Sequence, residues 1–235
     1  YLYRQVMGSH YQIGIVAVAS IDAYEQNLIK KHEFTRPDKE DDRVHHMEAL
    51  GAQVGPVFLT YKAEAEINKL AEQIVATTPE CDFEADDKTR HTFWVVEDET
   101  LTAKIESAFE NVECLYVADG HHRSAAARRV RKLYQERNNN HDGTESYNYF
   151  LVVLFPHDQL QILDYNRILK DLNGLGADEF ISRLKEKFDV IKVVEHHDAK
   201  PKREREFAIY CANSWYKLIA KDALVNSIDS NDPIK

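Results

Sequence analysis

The chain has 235 residues, 43% of them hydrophobic, which is enough for a sizeable buried core in one large or two modest domains and excludes a wholly disordered protein. Its 40 acidic and 30 basic residues give a formal net charge of -10, which repels polyanions and argues against broad attraction to nucleic acid. No run approaches the roughly eighteen consecutive apolar residues of a membrane span, and no charged-then-apolar leader opens the chain, so a cytoplasmic protein with no membrane partner is expected.

In chain order, QIGIVAVA (12–19) reads as a strand and IDAYEQNLIKKHE (21–33) as a helix, with Tyr24, Leu28 and His32 at helical spacing. In TRPDKEDDRVHHMEALG (35–51), Thr35 with Asp38 resembles a capping box, Pro37 suits a first turn and Gly51 a C-terminal cap, so a helix is predicted from Arg36 or Pro37. PVFLTY (56–61) is a strand, and Ile67, Leu70 and Ile74 line one face of a helix over about 63–76. A polar stretch, TTPECDFEADDKT, precedes a strand at 91–97 and a short helix carrying Leu101, Ile105 and Phe109.

Residues 114–118 form a strand that stops at Asp-Gly-His-His-Arg, after which a helix is expected from Arg123 to about Arg137, followed by the turn-rich loop RNNNHDGTES. From Tyr147 the texture changes to strands: YNYFLVVLF, LQILDY, a helix carrying Phe180, Leu184 and Phe188, then VIKVV, FAIYCA and WYKLIA. The charged segment 195–206 reads as a solvated hairpin loop. The interspersed elements predict an α+β fold of mixed sheets with packed helices, divided into a core over 1–146 and a strand-rich α+β part over 147–235. Cys81, Cys114 and Cys211 are widely spaced and read as buried thiols in a reducing compartment. The start at Tyr1 and the polar close VNSIDSNDPIK read as part of a longer chain.

Walker, dinucleotide-binding, Gly-x-Ser-x-Gly and His-Glu-x-x-His motifs are all absent. The three His-His pairs, at 45/46, 121/122 and 196/197, lack the setting of a metal phosphohydrolase.

The stretch ADGHHR (118–123) carries more chemistry. Asp119 ends a strand, Gly120 permits a tight turn, and a helix start offers unpaired amides that attract an anion, with Arg123 adding a positive fork. Asp119 is placed to bind Mg2+ or take a proton, and His121 or His122 to shuttle one, with one histidine facing the cleft and the other packing. The plainer alternative makes Asp119 an N-cap, Gly120 a turn and the histidines surface residues. A second cluster, HEFTRPDKEDDR (32–43), is either an ordinary capped helix start or a site in which Glu33 finds a partner and Lys39 and Arg43, four apart, close on one anion. Arg167 lies in an apolar, strand-like run and is either a surface residue or a further anion ligand.

Together YRQ (3–5), HExT (32–35), KExDR (39–43), ADGHHR (118–123) and ILxxxR (162–167) resemble a prokaryotic family known as domain of unknown function one thousand and fifteen, over nearly the whole chain. The Asp-Gly-His-His-Arg turn also resembles that of the ParB and sulfiredoxin superfamily, and most of all that of the free serine kinases within it. That resemblance implies a ParB/sulfiredoxin-like core and a nucleotide-dependent phosphotransferase for a small hydroxyl compound such as L-serine, with ATP or ADP and Mg2+. Asp119, His122 and Glu33 would be catalytic, and Gly120, His121 and Arg123 would contact phosphate. The family label commits to no reaction, and a non-catalytic nucleotide- or anion-binding regulatory module stands as the alternative. A homodimer is a candidate state of assembly. The sulfiredoxin cysteine is replaced by His121, and the basic helices of ParB are missing, which argues against both of those activities.

Overall fold

A computed structural model describes residues 1–227; residues 228–235, most of the polar closing stretch, lie outside the described residues. Contacts divide the chain into two compact units after Ile162.

The first unit contains strands β1 (Leu2–Met7) and β2 (His10–Ser20), helix α1 (Ile21–Glu25), strand β3 (Ile29–Lys30), helix α2 (Pro37–Leu50) and strand β4 (Val57–Tyr61). Helix α3 (Ala65–Val75), strands β5 (Cys81–Glu84) and β6 (Thr89–Trp94), helix α4 (Glu99–Phe109), strand β7 (Leu115–Asp119), helix α5 (His121–Arg137) and strand β8 (Tyr149–Pro156) complete it. Its eight strands form one sheet in the order β3-β7-β4-β8-β2-β1-β6-β5, parallel only at β3/β7 and β4/β8. The core gathers alternate residues of the central strands, Ile15, Leu59, Val117, Val152 and Leu154, with Ile67, Leu70 and Ile74 of α3 and Ile105 of α4. Helices α2 and α5 pack together through Val44, Ala126 and Val130.

The second unit contains α6 (Ala177–Leu184), β9 (Phe188–Val193), α7 (His196–Ala199), β10 (Glu206–Cys211), β11 (Ser214–Ala220) and α8 (Asp222–Asn226). Its three strands form an antiparallel sheet in the order β10-β11-β9. The fold is α+β, with a large mixed sheet, a small second sheet and eight helices among the described residues, none of them long and apolar enough to cross a membrane.

Several expectations are corrected. The boundary placed at 146/147 falls after Ile162 instead, because β8 sits between β4 and β2 inside the large sheet. The helix over 21–33 stops at Glu25. Asn27 takes a left-handed turn (φ 61°), Ile29 leaves to pair with Leu115, and Lys31 donates to the Tyr24 carbonyl at 3.0 Å.

No capping box forms at Thr35, whose hydroxyl donates to Glu40 while Arg36 is the N-cap residue; Pro37 and the left-handed Gly51 bound α2 as expected. Strand β5 arises in the polar stretch because Arg90 of β6 holds Asp82 at 2.5 Å. LQILDY forms no strand, since no neighbouring strand pairs with it, and Phe188 belongs to β9 rather than to α6. The segment 195–206 is no hairpin: β11 separates β9 from β10, and α7 within the segment buries Ala199. All three cysteines are free, but Cys81 is exposed.

Candidate functional site

Strand β7 delivers Asp119 to the turn, opposite Phe58 of β4 at an irregularity in the register. Gly120 then adopts φ 102°, a conformation that side chains rarely tolerate, and a Cβ there would lie 3.2 Å from Arg123 Nε. Arg123 curls back beneath the turn. Its Nη2 donates to Asp119 Oδ2 at 2.5 Å, and its Nη1 donates to the Pro56 carbonyl. Asp119 is therefore not an N-cap; its carboxylate is turned away from the helix amides.

Helix α5 starts at His121, two residues earlier than expected, so both histidines lie in its first turn. No acidic residue stands in that turn and no side chain caps it, which leaves the first amides of a 17-residue helix open. His121 is 4% exposed. Its Nδ1 lies 3.5 Å from Glu33 Oε2, its ring meets that of His32 edge-on at 4.4 Å, and its Nε2 is buried with no partner. Burial, and next the neighbouring His32, push its pKa below the ordinary value of 6.5 against the opposing pull of Glu33 and Asp119, so the imidazole is neutral at pH 7. His122 Nε2 accepts the Arg36 N–H at 3.2 Å, which ties the start of α2 to that of α5. Asp38, in the first turn of α2, pairs with the Arg36 guanidinium at 2.9 Å.

These groups line a cavity of about 470 Å3. Glu33, Asp119, Gly120, His121, His122 and Arg123 meet there with Arg43, His46 and Met47 of α2 and with Val54 and Gly55 of the following loop. Both histidines of the turn contribute to its lining, His121 almost wholly buried against His32 and His122 more open. Lys39 is exposed and absent from the lining, since the cavity meets α2 from Arg43 onward. Arg167 lies in the second unit, in an exposed run without regular structure rather than a strand, with its guanidinium 5.6 Å from the Tyr165 ring. In the sequence His46 stands out only as half of a His-His pair. Its signal as a site residue is its spacing, three after Arg43 and so on the same helical face.

Among the described residues no group of three or more His, Cys, Asp or Glu side chains is arranged to hold a metal. Three arginines of α5 are held in ion pairs, Arg129 with Glu40 and Asp41, Arg131 with Asp22 and Arg137 with Glu48.

The chain is thus an α+β protein whose polar cavity is built on one strand-turn-helix joint. It matches the model of the family described as a protein of unknown function (DUF1015) over residues 1–234, and it belongs to that family. Comparison with curated proteins and comparison with solved structures each found no match.

Proposed function

We propose that the cavity binds the phosphates of a nucleotide, ATP or ADP, and that the protein transfers a phosphoryl group from it to a small hydroxyl compound, L-serine being the first candidate. The observation that carries this reading is the cavity in which the open amides of α5, Arg43 and Arg123 favour an anion beside the almost wholly buried His121. The likeness of the turn to that of the free serine kinases, and through them to the ParB and sulfiredoxin superfamily, supports it further.

In this reading the amides of His121 to Arg123 and the Arg43 guanidinium hold phosphate oxygens, and Glu33 orients His121 through Nδ1. The acceptor oxygen forms a bond to phosphorus while the bond to the leaving nucleotide oxygen breaks; the hydroxyl proton passes to Asp119 or Glu33, and charge on the departing phosphate is met by Arg123. His122, fixed by Arg36, positions the turn and faces the transferred group. The donor set fits Mg2+ only as an ion carried between nucleotide phosphates and one carboxylate, that of Asp119, whose Oδ2 alone is engaged by Arg123. Bound there, Mg2+ would neutralise developing phosphate charge. A cytoplasmic enzyme free of nucleic-acid partners is the setting we assign.

Incubation with ATP or ADP, Mg2+ and a panel of hydroxyl compounds headed by L-serine is expected to yield a phosphorylated alcohol by 31P NMR. Asp119→Asn is expected to lower turnover by about 10² to 10⁴ with the melting temperature preserved. Absence of product with every acceptor, or full turnover in the variant, overturns the catalytic reading. One observation favours a second reading, a nucleotide-binding regulatory module: the 2.5 Å pair of Asp119 with Arg123 is what a residue that only braces the turn would make. On that reading Arg123→Ala weakens nucleotide binding, and no hydroxyl compound provokes turnover.

A further inference from the structure

Next to the charged cavity lies a second one of about 330 Å3, and Met47 lines both. The two differ in kind. Four fixed charges and three histidines line the first, whereas no ionisable group other than tyrosine lines the second. Its walls are Tyr134, Tyr147 and Tyr149, with Val18, Val130 and Met47.

These walls are held in place before any ligand arrives. The Tyr147 hydroxyl meets Asn138 Nδ2 at 3.0 Å and His141 Nδ1 at 2.9 Å, and its ring packs edge-on against Tyr134 with centroids 5.8 Å apart. Gln53, also in the lining, has both ends of its amide committed: Nε2 donates to the Tyr149 carbonyl at 3.0 Å, and Oε1 accepts the Leu151 N–H at 2.8 Å. The second cavity follows α5 away from its start. Ala127 to Tyr134 lie about 9 to 20 Å along the axis from His121 at 1.5 Å per residue.

A charged seat at a helix start, joined through one methionine to a neutral aromatic seat farther along the same helix, fits a ligand that is polyanionic at one end and flat and apolar at the other. We propose that the second cavity holds the base of the nucleotide whose phosphates occupy the first. The inference rests on the phosphate reading given above and adds where the nucleoside lies. With the Gln53 amide already used, Ser146 is the one polar side chain left in the lining besides the tyrosines, so the cavity recognises chiefly a flat ring, and ATP and GTP are expected to bind within about tenfold of each other.

The test is isothermal titration of the full chain with ATP and with inorganic tripolyphosphate, on the wild type and on Tyr134→Ala, Tyr149→Ala and Arg123→Ala. The wild type is expected to bind ATP at least about tenfold more tightly than tripolyphosphate, the scale of one base stacked on aromatic rings. Either tyrosine variant should erase that margin and leave tripolyphosphate affinity unchanged, whereas Arg123→Ala should weaken both ligands. Equal affinity for the two ligands in the wild type, or a margin that survives both tyrosine variants, overturns the base seat alone. Failure of the wild type to bind either ligand overturns the phosphate reading and the base seat with it. Should the tyrosine variants fail to fold, nitration of the wild type mapped by mass spectrometry serves instead. Tyr149 protected by ATP but not by tripolyphosphate upholds the proposal, and equal protection overturns it.

Discussion

Helices α4 and α5 each begin after an acidic residue, and they use it in opposite ways. At α4 the Asp98 carboxylate turns in and accepts the N–H groups of Thr100 at 2.8 Å and Leu101 at 3.1 Å, with Glu99 adding charge of the right sign for the helix dipole. At α5 the acid stands one position earlier, a left-handed glycine intervenes, and the Asp119 carboxylate goes to Arg123 while the amides stay open. A helix start that closes its own donors contributes stability. One that leaves them open beside the buried His121 and two guanidinium groups is, on the reading proposed above, a seat for an anion.

The contrast breaks first at Arg123. Arg123→Ala removes a charge-assisted contact worth about 1.5 to 3 kcal/mol, so calorimetric affinity for ATP is expected to fall roughly 10- to 100-fold, whereas Asp98→Ala leaves it unchanged. A smaller effect is expected at Gly120. An alanine there must take φ 102° with its Cβ 3.2 Å from Arg123 Nε, at a cost of about 1 to 2 kcal/mol in urea unfolding accompanied by weakened ATP binding. Asp98→Ala should cost about 1 kcal/mol of stability and nothing in binding, which separates a structural cap from a binding one.

The smallest effect is one of pH. Because burial holds the His121 pKa below 6.5, the unfolded chain takes up that proton first as the pH falls. The folded state therefore binds fewer protons, and stability declines as the pH drops below about 6.5. Urea midpoints at pH 7.5 and 5.5 are expected to differ less in His121→Gln than in the wild type, and equal differences would refute the burial argument.

What the sequence made legible was local. Strand β7, the Gly120 turn, α5, and α2 between Pro37 and Gly51 follow from spacing and from end signals that act within a few residues. What it concealed depends on distant partners. Strand β3 is two residues long and exists because β7 lies beside it, while β5 alternates Cys81 and Phe83 with acids over four residues, all exposed, and is held by pairing to β6, so neither carries a hydrophobic pattern long enough to read. The site divides in the same way. Residues 119–123 were visible as one motif, and Glu33 and Arg43 as candidates, but only tertiary packing brings Glu33 to His121, selects Arg43 and His46 over Lys39, and leaves Arg167 in the other unit.

The central claim, that the open amides of α5 receive phosphate, is tested most directly by amide resonances in a 15N-labelled chain titrated with inorganic tripolyphosphate. The largest shifts are expected at His121, His122 and Arg123, with Thr100 and Leu101 at the capped start of α4 unmoved. Shifts of equal size at both helix starts, or none at residues 121 to 123 under saturating anion, would contradict it.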